Sequence, residues 1–158
     1  MNVLVLNSGS SSLKFQIIAT DLERMEQHRD QRLCRGEIER IGGEAMVTFE
    51  SANHEKRTFT TFLPDLSRAL DYLIRFVASE RSGIAEVKNS GDIHAVGHRV
   101  VHGGEFFSES ARVDSTVLQK FKRFKGHTVR ASQFLQRLAT EQRAHFVHWD
   151  IGMTGVFN

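Results

Sequence analysis

In 158 residues the chain has one cysteine, one proline, one tryptophan and one tyrosine, and each scarcity closes off a class of protein. A lone Cys34 rules out an internal disulfide; it suits a reducing compartment and a place as a small apolar side chain in a strand, so no catalytic thiol is expected. The single Pro64 and the absence of low-complexity stretches speak against long disordered linkers. No apolar run approaches the roughly 20 residues of a membrane span, and the N-terminus lacks the basic stretch and apolar core of a signal peptide. A soluble cytoplasmic protein without a membrane partner is expected. Charge of one sign is scarce too: 21 basic against 19 acidic residues leave a net +2, with eight scattered histidines. Without a concentrated basic face, nucleic acid is not an expected partner.

What remains is a 40% hydrophobic chain, long enough for one real core with or without a small annex. Strand signals run over Asn2 to Leu6, Leu13 to Ala19 and Arg32 to Ile41, the last with Leu33 and Ile38 flanking Gly36, and together they predict a β-meander. After a turn at Ile41-Gly42-Gly43-Glu44, Met46–Phe49 and Thr58–Phe62 read as a peripheral hairpin joined through Ser51–His54. Pro64 fits the first turn of a helix whose Leu66, Ala69, Leu70, Leu73, Ile74 and Val77 recur at helical spacing. Ile93 to Val101 reads as a buried strand running into Gly103-Gly104. Beyond it, Phe106 to Val113 reads as extended chain, and Asp114 or Ser115 caps a helix carrying Val117, Leu118, Phe121 and Phe124. Phe134, Leu135, Leu138 and Ala139 mark a second helix, and Ala144 to Asp150 a final strand ending in a carboxylate. There is no internal repeat.

Between the first two strands lies Asn7-Ser8-Gly9-Ser10-Ser11-Ser12, followed by Lys14. A tight turn of this composition gathers N–H groups and hydroxyls into an anion-binding concavity, Gly9 supplying backbone freedom. Asn7 adds a hard carbonyl oxygen of the kind Mg²⁺ accepts, and Lys14 a charge for phosphate. The same residues are also ordinary hairpin punctuation. They are not a Walker motif, since no Gly-Lys-Ser/Thr run opens a helix.

A second concentration of chemistry is His98-Arg99-Val100-Val101-His102-Gly103-Gly104-Glu105, at a strand end entering a glycine loop. Arg99 presents a planar fork suited to a carboxylate or phosphate. Alternation sends His98, Val100 and His102 to one face and Arg99 and Val101 to the other. A salt-bridged Arg at a sheet edge, with core histidines, is the plainer account of this segment by itself.

Together the two segments, Asn7 to Phe15 and Gly97 to Gly104, resemble the two signature motifs of the acetate kinase family, which phosphorylates acetate, propionate or butyrate. The resemblance covers about residues 1–118 and leaves 119–158 divergent. It implies an α/β fold: a ribonuclease-H-like mixed sheet flanked by helices with a small peripheral hairpin, one half of a two-domain clamp. It also implies phosphoryl transfer between ATP and a short-chain carboxylate with Mg²⁺. By the same resemblance Asn7 is the metal-associated residue, Lys14 binds nucleotide phosphate with Ser10 and Ser12 supporting the turn, and Arg99 binds the acid's carboxylate.

The chain departs from the family after the Asp114 helix. Gly126-His127-Thr128-Val129-Arg130 stands where the family has Leu-His-Asn-Pro, and Val147-His148-Trp149-Asp150 where an apolar strand ends in Phe-Asp-Thr. By the resemblance His127 takes the place of the family's histidine and Asp150 that of its catalytic aspartate, a strand-terminal turn residue being an equally plain account of Asp150. The expectation is one acetate-kinase-like N-terminal domain over 1–158, without the family's second domain and weak or inactive alone. A second copy or a separately encoded chain would then complete the clamp. The alternatives are a non-catalytic binding or assembly module and a decayed remnant, with a frameshift as one origin of the altered end.

Overall fold

The computed structural model describes residues 1–99 together with Thr116, Gln119, Val147 and His148. In β1 (Asn2–Ser8), Leu4 and Leu6 are fully buried while Val3 and Val5 on the opposite face are half-buried, the two-sided burial of a central strand. In β2 (Leu13–Ala19), Leu13, Phe15 and Ile17 are buried. Burying side chains of this size stabilises the fold by roughly 1.5–3 kcal/mol each. The meander continues through β3 (Gln31–Glu39), β4 (Gly43–Ser51) and β5 (His54–Leu63), each antiparallel to the strand before it. In β4, Ala45, Val47 and Phe49 face the core and Met46, Thr48 and Glu50 face away. A short helix, α1 (Leu22–Glu26), interrupts the β2–β3 connection; it buries nothing, and no hydrophobic periodicity announced it.

Helix α2 (Leu66–Val77) lays Ala69, Leu70, Leu73, Phe76 and Val77 onto the core. Asp65 caps it, its carboxylate accepting the Arg68 N–H at 2.8 Å. Pro64 therefore sits just before the cap and not in the first turn. Phe76 meets Phe49 edge-on, centroids 4.9 Å apart, so the helix is keyed to the sheet through an aromatic contact.

Strand β6 (Ala95–Arg99) returns parallel to β1, and β7 (Val147–His148) lies parallel to β6. The sheet order is β5-β4-β3-β2-β1-β6-β7. The sheet is thus a five-strand antiparallel meander extended by parallel strands on the β1 side, the ribonuclease-H-like mixed arrangement. The β4–β5 hairpin is peripheral in the sense that it forms one edge of this same sheet.

Entry into β6 is fixed at its first residues. The Asn2 N–H donates to His94 Nδ1 at 2.9 Å, the His94 N–H donates to the Asn2 carbonyl at 2.9 Å, and Asn2 Nδ2 donates to the carbonyls of Glu86 and Asp92, each at 3.0 Å. Asp92 is itself set by a capping box with Asn89. Clamping residue 94 against residue 2 determines the parallel register from Val3↔Ala95 to Asn7↔Arg99.

Candidate functional site

Register carries three residues singled out in the sequence into one row. Asn7 near the end of β1 is the direct cross-strand partner of Lys14 on β2 and of Arg99 on β6. Asn7 and Arg99, far apart in sequence, thus meet on adjacent strands about 4.8 Å apart, with Lys14 on the strand at the other side of Asn7. The row continues to Glu37, then Thr48, then Thr58. Asn7 and Lys14, opposite each other in an antiparallel pair, share the face turned away from Leu6 and Leu13.

Asn7 is half-buried, and among the described residues its side-chain amide has no hydrogen-bond partner. Lys14 Nζ lies 3.5 Å from Glu37 Oε1, with side-chain exposures of 46% and 31%. An ion pair so exposed is worth about 0–1 kcal/mol, so it orients the ammonium without withholding it from a stronger anion. Glu37 was not anticipated, although its polar position in β3 was visible; its pairing with Lys14 depends on a register that shifts at Ile17/Ile18. Lys14 and Glu37 also line an open groove of about 320 Å³ that extends past Gln16 and Arg35.

The turn beside this row is a hairpin connection. The Gly9 N–H donates to the Ser12 carbonyl at 2.8 Å, and the Ile41 N–H donates to the Ser11 carbonyl at 2.9 Å, which ties the turn to the β3–β4 corner. Gly9 has no left-handed backbone. What it provides is room, since a Cβ there would stand 2.8 Å from Ser12 Oγ. Ser10 is exposed and Ser12 half-buried.

The neighbouring His98 is buried, pairs with Leu6 in the register, and its Nε2 lies 3.0 Å from Ser8 Oγ. This core histidine links the last residue of β1 to the strand that carries Arg99. Composition of the motif shows the histidine but not its partner, 90 residues away. His127 and Asp150 lie outside the described residues, as do Val100 to Glu105.

Asn7 offers a single neutral oxygen of the hard kind, and no cluster of three or more His, Cys, Asp or Glu that could hold a metal exists among the described residues. Nor is Cys34 reactive, since burial pushes its thiol up to about 12. Among the described residues no helix is long and apolar enough to cross a membrane.

Known proteins resemble the chain in sequence and in fold. The model of the acetokinase family matches residues 2–128. Over 119 residues the chain is 58% identical to an acetate kinase of Solibacter usitatus, covering 75% of this chain and 29% of that protein. It is 39% identical over 127 residues to an acetate kinase of Chloroherpeton thalassium, covering 77% and 30%. Among solved structures, acetate kinase of Porphyromonas gingivalis superposes with a TM-score of 0.77 at 24% identity, covering 95% of this chain and 37% of that one. A propionate kinase of Francisella tularensis gives 0.72 at 25%, covering 95% and 36%. The chain spans about three-tenths of the length of these curated relatives. On the family match over residues 2–128 and the identity to its members, the chain belongs to the acetokinase family.

Proposed function

We propose that the chain is an acetate-kinase-like phosphotransferase domain whose reaction is ATP plus a short-chain carboxylate to ADP plus an acyl phosphate. The observation that supports this reading is the row Lys14, Asn7, Arg99, which sets a lysine, an asparagine and an arginine at paired backbone positions near the ends of three adjacent strands.

In the proposed step a carboxylate oxygen forms a bond to the γ-phosphorus as the bond from that phosphorus to the β,γ-bridging oxygen breaks, the electron pair leaving with ADP. Arg99 binds the acid's carboxylate. Lys14 draws the nucleotide phosphate, while Ser10 and Ser12 shape the turn beside it. Asn7 helps hold the Mg²⁺, which neutralises phosphate charge when bound. Asp150 is proposed as the catalytic carboxylate and His127 as a pocket residue. Charge placement and orientation supply most of the rate in such transfers.

Residues 1–158 are proposed to form one domain of this enzyme type, corresponding to about three-tenths of the length of its curated relatives. Calorimetric titration with Mg²⁺-ATP and with acetate, on the chain and on Arg99→Ala, tests the site. Acetate binding is expected to weaken about tenfold or more in Arg99→Ala with Mg²⁺-ATP binding retained; unchanged acetate binding sinks the Arg99 assignment. Trapping acyl phosphate with hydroxylamine, for the chain alone and with candidate partners, tests turnover, and no product in any combination favours the non-catalytic reading.

A further inference from the structure

Among the described residues strand β5 ends the sheet order, so one side of its backbone has no ladder partner among them. Natural edges of this kind are usually defended by charge. Glu55, Lys56 and Arg57 defend the first half of β5, but Thr58 to Leu63 carry no charge and are strong strand formers. At the end of that undefended half Phe62 is 73% exposed.

Beside it, between β5 and α2, runs an open groove of about 500 Å³ walled by Phe62, Pro64 and Tyr72. Tyr72 stacks on Phe76 with centroids 5.9 Å apart, so its ring is a fixed surface. Three exposed arginines, Arg68, Arg75 and Arg81, face the groove against a single acid, Asp71. None of the three arginines joins an ion pair among the described residues. Among the described residues, a nearly neutral chain therefore sets three positive charges against one negative charge at an apolar slot beside the β5 edge.

We propose that this groove docks an extended acidic segment of another protein, which adds to β5 as a further strand, seats an aromatic side chain between Phe62 and Tyr72, and pairs its carboxylates with the arginines. Backbone ladder bonds supply affinity and the alternate side chains supply selection, as in other strand-addition sites. The charge excludes a basic segment. It also disfavours a second copy of this chain, whose β5 would bring Lys56 and Arg57 toward like charges. The open ladder calls for peptide groups, which nucleic acids and small anions lack.

The test uses the full chain and a fluorescein-labelled dodecapeptide of alternating Glu and Val with one central Phe, followed by fluorescence anisotropy. Saturable binding is expected, falling at least about tenfold for Arg68→Glu/Arg75→Glu, for Phe62→Ser and for a peptide with Lys in place of Glu. A peptide N-methylated at alternate residues, which cannot complete the ladder, is expected to bind as weakly. These side chains are exposed, and circular dichroism establishes that each variant is folded. No binding, or binding undiminished by charge reversal, overturns the proposal; undiminished binding of the N-methylated peptide overturns its strand-addition geometry. A concentration-dependent dimer abolished by the same substitutions assigns the groove to a second copy and equally overturns it.

Discussion

Gly36 acts through the side chain it does not have. Phe15 on β2 and Phe49 on β4 are its partners in one row, their rings stacked with centroids 6.3 Å apart. A Cβ at position 36 would run into the Phe15 ring and come within 2.6 Å of the Thr48 carbonyl oxygen. The two rings cover a glycine that would otherwise leave a gap in the core. Gly36→Ala is expected to destabilise by about 1–3 kcal/mol in urea unfolding. Gly43→Ala, where a Cβ meets nothing within 4 Å, is expected to stay close to neutral and serves as the control. The sequence showed Gly36 between Leu33 and Ile38 but could not show why it is glycine, because the obstruction belongs to strands on either side. Gly9 teaches the reverse lesson: its turn was legible, yet its role is to clear Ser12 Oγ and not to supply a left-handed backbone.

Elements were legible wherever burial is periodic. The stripe Leu66, Ala69, Leu70, Leu73, Ile74, Val77 announced α2, and alternation announced β2 with both of its ends. Helix α1 left no such trace, for its Leu22 and Met25 are exposed and it is held by the Asp21 cap. For α2 the cap is separable from the packing. Asp65→Ala removes the acceptor for the Arg68 N–H while leaving the apolar face intact, and is expected to cost about 0.5–2 kcal/mol, read as a lower thermal midpoint with the fold retained. Asp65→Asn is expected to recover most of that loss, since its amide oxygen accepts the same bond. The candidate residues Asn7, Lys14 and Arg99 were each visible, but their alignment was not. The β1–β2 hairpin pairs Asn7 with Lys14, and the place of Arg99 arises from the Asn2–His94 clamp, whose polar groups have no periodic signature.

For the whole molecule, Cys34 reports global opening. Its thiol, on β3 between Ile17 of β2 and Ser51 of β4, is buried and pushed from the ordinary 9.0 up to about 12. Between those values the unfolded chain has given up a proton that the folded chain keeps. The unfolded state thus binds fewer protons, and this group's contribution falls as pH rises from about 9 toward 12. Thermal midpoints at about pH 7 and about pH 10 are expected to drop less in Cys34→Ala than in the parent chain. A thiol reagent at neutral pH is expected to label Cys34 only at the rate set by unfolding; rapid labelling of the folded chain contradicts its burial. The clamp that sets Arg99 beside Asn7 has a consequence in time. Strands β1 to β5 each pair with the next one made, whereas 92 residues separate Asn2 from His94. On the ribosome the meander, with its Asn7–Lys14 pair, can close as it emerges, but the parallel strand β6 must wait until Arg99 is made and closes a much longer loop against β1. Lys14 and Arg99 are therefore brought into one row only after the meander can form, and a nascent chain halted before β6 holds Lys14 and Asn7 paired with no third member beside them.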